Sequence, residues 1–115
     1  MLRSAGIKVF TMFAIIAATP SLAYGARIFC TPTGVVSKVN LVHVECSSAP
    51  AGIRYFAVDT TSSAEAARFT DLATAALVNN LILDIFYDDT DTLTGPTFGC
   101  DASNCRPALT INLQY

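Results

Sequence analysis

Four cysteines in a short chain constrain this protein more than any other feature: Cys30, Cys46, Cys100 and Cys105 among 115 residues. An even number of cysteines in a small exported chain implies disulfides. The start of the sequence supplies the export signal. Arg3 and Lys8 are basic, Val9 to Ala18 is apolar apart from Thr11, and Pro20 is followed by small residues. Ala23-Tyr24-Gly25 places small groups at the positions a signal peptidase reads, and Ser21-Leu22-Ala23 offers a second cleavage point before Tyr24. The apolar run is about half the roughly 20 residues needed to span a bilayer. Residues 1–25 therefore read as a signal peptide and residues 26–115 as a single disulfide-bonded domain, secreted or periplasmic, with no membrane span after cleavage.

The mature chain of 90 residues suffices for one small core. Three disulfide pairings are possible, and the spacing favours Cys30–Cys46 and Cys100–Cys105. The first pair lies symmetrically about Lys38, where a hairpin turn is expected. The second brackets Asp101-Ala102-Ser103-Asn104, a turn-forming tetrapeptide. A four-thiolate zinc site would need closely spaced pairs that neither spacing provides. Five cationic residues remain after cleavage (Arg27, Lys38, Arg54, Arg68, Arg106) against nine acids, a net charge of −4. That balance repels phosphate backbones and argues against nucleic-acid binding.

Hydrophobic periodicity gives the elements. β-branched residues mark strands near 33–38 and 41–46 around a turn at Ser37 to Asn40, with a bend or bulge at Thr31 to Gly34. A third strand spans Ile53 to Val58. Ser62-Ser63-Ala64-Glu65 reads as a capping box opening a helix that runs to about Val78 and leaves through Asn79-Asn80. Its core stripe is Phe69, Leu72, Ala73, Ala76 and Leu77. The opposite face carries Ala67, Asp71, Thr74, Ala75 and Val78; its small side chains suit close packing against a second copy, which makes these residues the candidate oligomer interface. Strands at Leu81 to Tyr87 and Ala108 to Tyr115 complete the chain. The order strand, strand, strand, helix, strand, strand is that of a mainly β, five-stranded Greek-key OB-like barrel. An open antiparallel sheet with one packed helix is the alternative.

No catalytic constellation emerges. His43 is the single histidine and has no nucleophilic partner in the pattern. Asp88, Asp89 and Asp91 lack the spacing of a calcium loop, and Asp84 with Asp88 has no facing acid from another element. No glycine-rich phosphate loop opens the helix. The expectation is a non-enzymatic protein without cofactor or metal. Its aromatics Tyr55, Phe56, Phe86, Tyr87, Phe98 and Tyr115, together with loop Asp, Asn, Ser and Thr, suit the recognition of sugars or protein surfaces.

The strand Arg54-Tyr55-Phe56-Ala57-Val58, the helix Ala66 to Leu77, the strand Leu81 to Tyr87 and above all the closing Gly99-Cys100-Asp101-Ala102-Ser103-Asn104-Cys105 resemble the B subunits of pertussis-like and subtilase-type AB5 toxins and related small bacterial secreted proteins. The resemblance implies an OB-fold, a homo-oligomeric ring with helices lining its centre, and binding of cell-surface glycans. It places no sugar-binding residue on a particular position, and the chain departs from the pattern by running on from Pro107 to Tyr115 as a further strand. Two functions follow as expectations. One is an exported glycan- or surface-recognition subunit. The other is a periplasmic inhibitor or accessory protein that binds another protein.

Overall fold

The computed structural model describes residues 25–47 and 50–114. The expected signal peptide, apart from Gly25, lies outside them, as does Tyr115. Among them six strands and one α-helix form: β1 (Ala26–Cys30), β2 (Pro32–Ser37), β3 (Leu41–Cys46), β4 (Tyr55–Asp59), α1 (Ser63–Asn79), β5 (Ile82–Tyr87) and β6 (Cys105–Gln114). They make one mixed sheet in the order β1-β5-β6-β4-β3-β2.

Both architectural expectations need correction. The strands number six rather than five, and the barrel is not closed. Nor is the sheet purely antiparallel, because β4 and β6 run parallel from Tyr55↔Cys105 to Ala57↔Pro107. The extra strand arises at Thr31, which breaks the first extended segment in two. Its first part pairs with β5 and its second with β3, so one residue separates the two ends of the sheet order. The register slips between Pro32 and Gly34, the bulge that the Thr-Pro-Thr-Gly sequence foretells. Pro107 has a comparable effect on β6. Proline has no N–H to donate, and the parallel ladder stops there. β6 then continues along β5 from Ala108 to Gln114.

Alternation sorts the side chains. Val42, Val44 and Cys46 on β3, Phe56 on β4, and Leu83, Ile85 and Tyr87 on β5 face inward, where they meet Phe69, Ala73 and Ala76 of α1. Phe56 and Tyr87 meet edge to face with ring centroids 4.8 Å apart. The helix thus buries the stripe its periodicity predicts, with Leu72 and Leu77 partly covered. Its N-terminus forms differently from expectation. Ser62 is the N-cap, but its side chain makes no capping hydrogen bond, so the capping box is not assembled. The C-terminus follows the sequence: Asn80 adopts left-handed geometry (φ 54°, ψ 44°) and donates its N–H to the Ala76 carbonyl.

Both favoured disulfides are present. Cys30–Cys46 lies in the main core and ties the end of β1 to the end of β3. Cys100–Cys105 lies on the other side of the sheet, in a second small core with Leu41, Ala57 and Phe98. No helix among the described residues is long and apolar enough to cross a membrane.

Candidate functional site

The outward rows of the sheet create a shallow floor. Gly34, Glu45, Tyr55 and Cys105 lie in register across β2, β3, β4 and β6, and Val36, His43, Ala57 and Pro107 form the adjoining row. Two rows that include Gly34 and Ala57 leave space that larger side chains would fill. The segment from Gly95 to Asn104 rises beside this floor as a wall. It begins with a 3₁₀ turn, Gly95–Phe98, whose Phe98 is buried in the second core. Gly99 then takes φ 99°, a region open to glycine without strain. The Asp101–Asn104 turn closes on Cys105 through Asn104 and Cys105 N–H bonds to the Asp101 carbonyl. The Asn104 carbonyl accepts the N–H groups of both Arg54 and Tyr55 and so fixes the turn against β4.

The result is a hollow of about 390 Å³ lined by Val36, Lys38, His43, Glu45, Tyr55, Gly99, Asp101, Asn104 and Cys105. Its chemistry is mixed. The rings of His43 and Tyr55 pack at a tilt of 38° with centroids 4.7 Å apart, forming an aromatic surface. Arg54 donates to Glu45 at 3.0 Å, which orients the carboxylate. Asp101 accepts from the Ser103 N–H and hydroxyl, contacts that hold its carboxyl below the usual range. Burial, reinforced by Lys38, pushes the His43 imidazole below its ordinary value, while Glu45 opposes the shift. Ligand sites in general combine apolar or aromatic lining with a few converging polar groups in a concave setting, and this hollow holds both kinds of group. A groove of about 330 Å³ between α1 and β6 is poorer in such groups: Val58, Phe69, Leu72, Ala108, Leu109 and Ile111 line it, with Glu65, Arg68 and Thr110 beside them.

Other residues singled out in the sequence are dispersed. Phe56, Tyr87 and Phe98 are buried, so of the expected recognition aromatics in the described residues only Tyr55 and Phe86 offer surface. Ala67, Asp71, Thr74 and Val78 are exposed along α1 and Ala75 is half-buried, on the side of the helix away from the core. Asp88 and Asp91 spend their carboxylates on their own turn, Asp88 accepting from Thr90 and Asp91 from the Leu93 and Thr94 N–H groups. Among the described residues no three His, Cys, Asp or Glu side chains are grouped to hold a metal ion.

Asp84 does not face Asp88. It is 3 % exposed on the outer side of β5, where Arg27 donates to both its oxygens at 2.8 and 2.7 Å. The Arg27 guanidinium lies 4.9 Å from the Phe29 ring centroid and 5.1 Å from that of Phe86, a cation–aromatic stack that shields the pair. Sequence reasoning missed Arg27 and Phe29 because β1 was not expected. It also gave no role to Lys38, Glu45 and Asn104 in a site. The alternation of His43 and Glu45 with Val42 and Val44 was the available signal that two polar groups share one outward face. The chain matches no family model, no curated protein and no solved structure.

Proposed function

We propose that this protein is an exported, non-enzymatic recognition subunit that binds a glycan in the hollow beside the Cys100–Cys105 turn. The observation that carries the reading is the arrangement of Tyr55 and His43 as an aromatic surface flanked by Lys38, Glu45, Asp101 and Asn104. Sugars present both C–H faces, which pack on aromatic rings, and hydroxyls, which pair with carboxylate, amide and ammonium groups. Two buried disulfides suit an oxidising compartment, the periplasm or the exterior of a bacterial cell.

The toxin B subunit resemblance enters this reading through the single helix between β4 and β5 and the cysteine-closed turn at Cys100–Cys105. Self-assembly through Ala67, Asp71, Thr74, Ala75 and Val78 belongs to the same reading. The helix face is thinly charged, and Val78 is 73 % exposed.

The test uses protein expressed as the full precursor and purified from the periplasm of the host. It should bind a subset of glycans on an array, and Tyr55→Ala should weaken that binding about two- to thirteenfold, since an aromatic contact is worth roughly 0.5–1.5 kcal/mol. A blank array together with a monomer by light scattering refutes the proposal. The exposed Phe29 and Phe86 favour a second reading, an inhibitor or accessory that binds another protein through the outer face of β1 and β5. Recovery of one stoichiometric protein partner from the native periplasm, lost in Phe29→Ser, would select it.

A further inference from the structure

The hollow contains the only histidine of the chain. His43 is half-buried on β3, and groups from every adjoining element face it. Lys38 comes from the β2–β3 turn, Glu45 from β3 itself with Arg54 paired to it, Tyr55 from β4 and Asp101 from the disulfide turn. β2 contributes the uncharged Val36 directly opposite. Among the described residues lining the hollow, Lys38 is the cation and Glu45 and Asp101 the carboxylates. Fixed charge therefore gives an anionic ligand no advantage. The imidazole is already held below its ordinary value by burial and by Lys38. A ligand seated on the His43–Tyr55 surface removes more water from the ring, and an uncharged ligand returns no charge to stabilise imidazolium. Proton uptake and ligand retention then oppose each other.

We propose that His43 makes this hollow a pH-gated site for an uncharged sugar, held while the imidazole is neutral and released when it takes up a proton. The proposal rests on the glycan reading and deepens it by specifying the charge class of the ligand and a condition for its release. One proton exchanged per ligand limits the effect to about a tenfold fall in affinity per pH unit below the midpoint of free His43. Histidine is the side chain whose ordinary charge change lies between about pH 5 and 8, the range such a switch requires.

The experiment has two arms on the intact protein. In the first, the His43 imidazole resonance, unambiguous because no other histidine exists in the chain, is followed by NMR from pH 8 to pH 4. This is done without and with a saturating amount of the uncharged oligosaccharide that gives the strongest array signal at neutral pH. The midpoint is expected below about 6.5 in the free protein and lower still with the sugar bound. In the second arm, affinity for that oligosaccharide is measured by calorimetry across the same range. It should fall steeply on acidification in the natural protein and stay flat in His43→Gln. A midpoint at or above the ordinary value, a midpoint raised by the sugar, or an identical acid loss in His43→Gln overturns the proposal. Array signal confined to acidic glycans overturns it while leaving the glycan reading standing, and a blank array removes both.

Discussion

Removing the two disulfides one at a time should separate stability from the proposed glycan binding. Cys30–Cys46 closes a loop of 16 residues and Cys100–Cys105 a loop of 5. The chain-entropy relation assigns about 3 kcal/mol to the first and about 2 kcal/mol to the second. For a domain of this size 1 kcal/mol moves Tm by about 4–8 °C. Cys30→Ala/Cys46→Ala should therefore lower Tm by about 12–24 °C and Cys100→Ala/Cys105→Ala by about 8–16 °C. All four cysteines are buried, so the packing lost with each sulfur pair is similar and the difference survives. Binding should reverse the ranking. The long-loop bridge lies inside the main core, on the far side of β3 from the hollow. The short-loop bridge supports the wall that carries Asp101 and Asn104. Calorimetry and urea titration give the stabilities, and glycan binding well below both transitions gives the second readout. The reasoning is refuted if Cys100→Ala/Cys105→Ala binds as the natural protein does, or if it is the less stable of the two variants.

Two further predictions follow from particular contacts. A Cβ at Gly95 would lie 2.9 Å from the Cys100 carbonyl oxygen and 3.0 Å from its Cβ. Gly95→Ala should therefore cost about 1–3 kcal/mol by urea denaturation and should weaken glycan binding through the displaced wall. Asp84 is held below the usual carboxylate range chiefly by its hydrogen bonds from Arg27, against the opposing effect of burial. A depressed folded value means that its contribution is complete above about pH 4 and disappears as pH falls through that lowered value. Calorimetry from pH 5 to pH 2 should show the natural protein losing Tm more steeply on the acid side than Asp84→Asn does. Parallel curves would show that the pair contributes no acid sensitivity.

Local signals in the sequence carried the helix, its buried stripe, its Asn80 exit, five of the six strands in outline and both cysteine pairings. Each depends on residues close in the chain: the recurrence of Phe69, Ala73 and Ala76, or the alternation of Leu83, Ile85 and Tyr87 with their neighbours. What failed was non-local. Thr31 reads as one bend in one strand, and only the pairing of its flanks with β5 and β3 shows that it divides a strand shared between two ends of a sheet. The alternation of Leu109, Ile111 and Leu113 with Thr110 and Asn112 marks β6 only from Ala108. The strand begins at Cys105, since parallel pairing with β4 needs only the three residues up to and including the proline. The capping box failed for a related reason: the residue types are correct, but nothing in the pattern fixes the Ser62 side chain onto a helical N–H.

The site is less legible than the fold because no stretch of sequence contains it. Its members come from the turn after β2, from β3, from the start of β4 and from a turn about 50 residues further on. One backbone acceptor brings them together. The Asn104 carbonyl takes two N–H groups at the entrance to β4, and this contact converts a disulfide turn with the composition of any surface loop into the wall of a concavity. Exposed backbone N–H groups at the start of an otherwise paired strand would demand water, and meeting that demand with a carbonyl costs the molecule no side chain. Asn104 therefore keeps its amide, Asp101 part of its carboxylate and Tyr55 the outer part of its ring for whatever enters. That economy leaves polar groups free on the candidate surface of a chain with few charged residues, and the Cys100–Cys105 bridge closes the turn that forms its wall.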